Sequence, residues 1–78
     1  MKVTISFKNR SKTVVVDNLQ KIEFIPDDPF TFDIDTKPEI IDSDFNKFRI
    51  NKALDEITFI GDTTFSVMKS AIESLLFE

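Results

Sequence analysis

The chain is 78 residues long and acidic, with a net charge of −4 and an isoelectric point near 4.7; that is the length of one small domain, residues 1–78, near the lower limit at which a single core sustains itself. Histidine, cysteine, tyrosine and tryptophan are absent and Gly61 is the only glycine, which excludes imidazole and thiolate chemistry, a disulfide framework and a glycine-rich phosphate loop. Carboxylates, lysines and hydroxyls are what remains for catalysis, and the expectation is a protein that is not an enzyme and carries no cofactor.

Thirty positions are valine, isoleucine, leucine, methionine or phenylalanine, nine of them phenylalanine, enough apolar surface to drive a chain this short to fold. No apolar run approaches the ~20 residues that a membrane-spanning helix needs. The N-terminus, M-K-V-T-I-S-F-K, is charged and alternating, unlike a signal peptide. These features predict a cytoplasmic protein without a membrane partner.

In chain order, Val3, Ile5 and Phe7 alternate with Lys2, Thr4, Ser6 and Lys8, the period of a half-buried strand. A polar turn, N-R-S-K, leads to the β-branched run T-V-V-V, so a hairpin opens the chain. The turn carries Lys8, Arg10 and Lys12, a set able to touch phosphate but more simply read as a solvated tip. Asn9-Arg10-Ser11 fits the glycosylation pattern without a secretion signal to support its use. Asp17 and Asn18 interrupt, and I-E-F-I resumes strand character.

Residues 26–46 differ from the rest. They hold Asp27, Asp28, Asp33, Asp35, Glu39, Asp42 and Asp44 against the single base Lys37, a net −6, while the remainder of the chain is +2. Three prolines there mark turns or strand edges. F-T-F-D-I-D reads as a strand with Phe30, Phe32 and Ile34 on one face and Asp33 and Asp35 on the other, at about 6.6 Å spacing. Next come F-R-I-N-K-A-L-D-E-I-T-F, a Gly61-Asp62 pair suited to a two-residue hairpin turn, and F-S-V-M-K-S-A-I-E-S-L-L-F.

These last two stretches and residues 14–24 share one sentence: apolar-x-apolar, a polar spacer, then aliphatic-x-x-aliphatic-x-Phe. The copies are Val14, Val16, Leu19, Ile22, Phe24; Phe48, Ile50, Leu54, Ile57, Phe59; and Phe65, Val67, Ile72, Leu75, Phe77. Constant spacing behind a variable spacer predicts one strand–turn–strand unit used three times, with the first aliphatic under the turn and the second on the same strand face as the phenylalanine. Val67, Met68, Ala71, Ile72, Leu75 and Leu76 also fit a helical stripe, with Lys69, Ser70, Glu73 and Ser74 opposite. The predicted fold is therefore mainly β, a compact antiparallel sheet or small barrel of five to six strands. The alternative is α+β, with a C-terminal amphipathic helix on the sheet.

The acidic block admits a solvated edge, a calcium site, or a surface for a basic partner. D-I-D and D-S-D offer oxygen ligands but lack the glycine and closing glutamate of an EF-hand loop, and no metal is expected. Carboxylates in a row can stand in for phosphates against a basic patch on a nucleic-acid-binding protein. The acidic charge disfavours direct nucleic-acid binding. Asp27, Asp28, Asp33, Asp35, Glu39, Asp42 and Asp44 are the candidate contact residues.

M-K-V-T-I-S-F-K-N-R-S-K-T-V-V-V-D-N-L-Q-K-I-E-F resembles the opening hairpin of small β-rich accessory proteins carried by phages and mobile elements of AT-rich bacteria. The resemblance is one of style and covers about a third of the chain plus its echo at the end; it carries over no functional residue. It implies a class in which some members inhibit host defence machinery such as CRISPR effectors. The functional expectation is a non-catalytic acidic domain, monomer or homodimer, that binds another protein through a basic surface. The alternative is a structural subunit acting by self-association.

Overall fold

The structure is a computed structural model and describes residues 1–27 and 37–78. Alternation is realised as strand wherever a paired neighbour is within reach. In β1 (Val3–Phe7) the apolar residues Val3, Ile5 and Phe7 are buried while Thr4 and Ser6 are not, as a two-residue period requires when one face meets the core. β1 pairs antiparallel with β2 (Thr13–Val16) and on its other side with the C-terminal β7 (Ile72–Phe77). The ladder runs to the termini: Lys2 and Glu78 exchange backbone hydrogen bonds of 2.7 and 2.9 Å, and their side chains form an ion pair at 3.9 Å.

The second sheet is β4 (Glu39–Ile41), β3 (Lys21–Pro26), β5 (Ala53–Ile60) and β6 (Thr64–Met68), in that order and antiparallel throughout. The protein is thus mainly β, with seven strands among the described residues rather than five or six, in two sheets that do not close into a barrel. The strand expected from Phe30, Phe32 and Ile34 lies outside the described residues. The chain changes sheet at two corners, from β2 to β3 through Asp17 and Asn18, and from β6 to β7 through a 3₁₀ turn, Lys69–Ala71. Strands that bend from one sheet into the next make the corners of orthogonally packed sheets.

The pairings show which parts of the repeat are equivalent. Ile5 stands between Val14 and Leu75, as Phe59 stands between Phe65 and Ile22; Val3 stands between Val16 and Phe77, as Ile57 stands between Val67 and Phe24. The segments β1–β2–β3 and β5–β6–β7 are one unit used twice, each lending its third strand to the other's hairpin. Each hairpin is also anchored on the other's corner: Lys8 N–H donates to Ala71 O at 3.0 Å, and Asp62 N–H to Asp17 O at 2.9 Å.

The middle copy of the repeat is different. Phe48 and Ile50 are not in a strand but lead through a 3₁₀ turn, Ile50–Lys52, into β5. Nor does Leu54 lie under that turn. Between the pairs Pro26–Ala53 and Phe24–Ile57 two extra residues bulge from β5; Ala53 takes the inner position and Leu54 is 46% exposed. The turn ends at Lys52, so Leu54 falls in the strand instead of under the turn, and three residues from Ile57 it takes the outward side that Ala53, four residues away, does not.

The C-terminal stretch is strand, 3₁₀ turn and strand, not helix. Val67 and Ile72 are buried, Leu75 is half-buried, and Met68 and Leu76 are exposed, which is a sheet pattern. The free edge of β1 decides it, because only an extended segment can satisfy that ladder. Gly61 opens a three-residue loop, not the two-residue turn expected: Ile60 pairs with Thr64. Its φ is not positive; glycine stands there because a Cβ would press on the Asp17 carbonyl oxygen and lie 2.9 Å from Asn18 O and Val16 Cγ1.

One core joins both sheets, centred on Val3, Ile5, Val16, Ile22, Ile57, Phe59 and Ile72. Phe24 and Phe59 are buried as the repeat requires, whereas Phe77 is half-buried at the core's margin. Among the described residues no helix is long and apolar enough to cross a membrane.

Candidate functional site

Four of the seven predicted contact residues are described: Asp27, Glu39, Asp42 and Asp44, all exposed. Asp28, Asp33 and Asp35 lie outside the described residues. Asp27 follows β3, with its N–H donating to Lys52 O at 2.8 Å, so its backbone prolongs the β3–β5 pairing while its side chain stays outside. Glu39 opens β4 opposite Phe24, and Ile41 closes it opposite Ile22. Asp42 comes next.

Asp44 adopts φ 52° and leads into the 3₁₀ turn Phe45–Lys47 with no side-chain capping bond, its carbonyl accepting from Lys47 N–H at 2.9 Å. Aspartate tolerates the left-handed region better than most residues. The turn it starts is pinned from below by buried Phe45.

These acids do not converge. Asp27 lies beyond one end of the β3–β4 ladder and Asp42 beyond the other, with Glu39 between. They string along the margin where β4, exposed on its outer side, edges the sheet. Among the described residues no three acids come close enough to hold a metal ion together. Ionic neutralisation is also missing: among the described residues the ion pair is Lys2–Glu78, at the opposite sheet. Lys37 and Lys47 lie in the same stretch of chain, and among the described residues neither forms an ion pair with these acids. Arg49 folds back to donate from Nη1 to Asn46 O at 2.9 Å and Phe48 O at 3.0 Å. Unpaired carboxylates on an edge strand present a negative potential to solvent.

The opposite charge gathers elsewhere. Lys8, Arg10 and Lys12, on the exposed tip of the first hairpin, line an open groove of about 1130 Å³ between β2 and β6. Its floor is apolar: Phe7, Val14, Phe65 and Met68 line it, and the rings of Phe7 and Phe65 meet edge to face at 6.0 Å. Among the described residues no acid lines it. The sequence placed the three cations on a turn, but nothing local indicated that β6, some fifty residues away along the chain, forms the other wall.

A third surface is neutral. On the outer face of the first sheet Thr4 lies between Val15 and Leu76, and Ser6 between Thr13 and Ser74; Val15 is 42% and Leu76 54% exposed. No protein family, curated protein or solved structure matches this chain.

Proposed function

We propose that this is a non-catalytic binding domain whose acidic β4 margin meets a basic surface on another protein, its carboxylates taking the place of phosphates. The observation that carries the reading is the arrangement of Asp27, Glu39, Asp42 and Asp44: all exposed, on an edge, and without a cationic side chain in ion-pair range among the described residues. Asp44 starts a turn yet makes no capping bond with its side chain, which leaves its carboxylate facing solvent. Basic patches of this kind are built to hold polyanions, so the partner class is a nucleic-acid-binding protein, which the chain would inhibit by covering its patch. The resemblance to phage accessory proteins directs the search to bacterial defence proteins. The absence of histidine and cysteine supports a role without chemistry.

The test is capture of basic proteins from bacterial lysate on the immobilised chain, followed by direct binding of the purified partner. Binding weakens with salt, is competed by duplex DNA, and is lost in Asp42→Lys/Asp44→Lys and in Asp33→Lys/Asp35→Lys. Unchanged affinity in both folded double variants overturns the proposal.

A second reading, self-association, is favoured by the neutral outer face with exposed Val15 and Leu76. A salt-insensitive oligomer in sedimentation, abolished by Val15→Lys/Leu76→Lys, supports it; a monomer at all concentrations rejects it.

A further inference from the structure

The two sheets leave two seams, and the chain fills one of them itself. On the β7 side, the link between β4 and β5 brings the ring of Phe48 to 5.2 Å from that of Phe24 in β3, and Ile50, Leu75 and Phe77 pack against the core around what remains of the cleft. Phe48 is buried as a result. One aromatic side chain from a connecting segment closes part of this seam.

Among the described residues the seam between β2 and β6 has no such plug. Among the same residues β2 has a neighbour only on the β1 side, and β6 only on the β5 side, which leaves their other backbone edges beside the groove that residues of both strands line. Unpaired strand edges recruit extended chain. The floor offers Phe7 and Phe65 in contact, with Phe65 half-buried, a place for one apolar side chain to land as Phe48 does in the other seam.

Charge selects the occupant. Lys8, Arg10 and Lys12 line the groove, with no acid beside them among the described residues, so an acidic segment is attracted and a basic one repelled. A nucleic acid would bring many charges against a chain of net −4, and repulsion rises with each added phosphate. A short peptide brings few, and it alone can use the strand edges.

We infer that the seam between β2 and β6 is a docking groove for an extended, acidic segment of a partner protein, which adds as a strand and sets an apolar or aromatic side chain on Phe7 and Phe65. This site is separate from the acidic β4 margin and stands or falls independently of it.

The experiment uses the full ¹⁵N-labelled chain, titrated with a synthetic peptide of alternating aspartate and valine around a central phenylalanine. The controls are the same peptide with lysine for aspartate, and inorganic phosphate. Saturable shifts of β2 and β6 amides with the acidic peptide alone are expected. Lys8→Glu/Arg10→Glu/Lys12→Glu, or the milder Arg10→Gln/Lys12→Gln, weakens binding, the triple change by roughly tenfold or more. Asp42→Lys/Asp44→Lys leaves it at least as strong. Any of four results overturns the inference: no saturable shift at β2 and β6; an equal response to the lysine peptide; the same shifts with phosphate; or shifts of those amides on concentrating the chain alone, which would make a second copy the occupant.

Discussion

At the scale of single residues, burial separates positions that the repeat makes formally equivalent. Phe24 and Phe59 sit in interior strands and are buried, whereas Phe77 lies in β7, which among the described residues has a neighbour on one side only, and is half-buried. Phe59→Ala and Phe24→Ala should each cost about 3–5 kcal/mol, enough to unfold so small a domain, while Phe77→Ala leaves a measurable melt at lower temperature. Circular dichroism melts of the three variants check the order. Gly61 is a second such position. Gly61→Ala places a methyl group against the corner at Asp17 and Asn18, an overpacking that should cost about 1–3 kcal/mol in urea denaturation. A cost near zero would mean that the corner yields.

At the scale of elements, the end of the turn at Lys52 decides which residue faces the core. Ala53 has no exposed surface and Leu54 is 46% exposed, although leucine is the more apolar and the spacing favours it. Ala53→Leu should destabilise by about 1–3 kcal/mol, and Leu54→Asn should change stability by no more than about 0.5 kcal/mol. The reverse order in thermal melts would restore the spacing-based register. The corners are the other decisive elements. Asn18 takes φ 50° and donates from Nδ2 to Asp62 Oδ2 at 2.9 Å, so one residue both turns the chain between sheets and ties the corner to the opposite hairpin. The second corner does the same work with a 3₁₀ turn and a backbone bond from Lys8.

At the scale of the whole molecule, the fold depends on its two ends meeting. β1 is held between β2 and β7, and the β7 pairing spans almost the full chain length. Removing residues 72–78 opens an edge of β1 and strips Ile72 and Leu75 from the core. Loss of a cooperative thermal transition is expected; a truncated chain that still melts sharply would show β1–β6 to be self-sufficient. Charge is segregated at the same scale, acids along the β4 margin and three cations at the β2–β6 seam. Reversing Asp42 should leave the melt nearly unchanged, because its side chain is exposed and has no ion-pair partner among the described residues, whereas Asp44→Lys should lower it, since lysine tolerates φ 52° less well than aspartate. Equal melts for the two variants would mean that the turn does not depend on Asp44.

The sequence by itself determined the elements that answer to local periodicity. The first hairpin follows from Val3, Ile5 and Phe7; the strand face of Ile22 and Phe24 follows from their spacing; and exposure of Asp27, Glu39, Asp42 and Asp44 follows from the solvation cost of buried carboxylates. It also carried the repeat, because equivalent positions must present equivalent side chains to the same core. The tertiary structure alone decided what depends on partners distant in the chain. Residues 67–76 fitted a helical stripe as an alternative to the strand–turn–strand of the repeat, and the open edge of β1 resolved them as strand. Burial fell to Ala53 and not to Leu54 because the turn ends at Lys52 and Ala53 shares the inward face of Ile57 in the strand that follows. Lys8, Arg10 and Lys12 line a groove only because β6 returns beside their hairpin. Periodicity constrains a strand's faces, but hydrogen bonds between strands reach across sequence separations that no local pattern records.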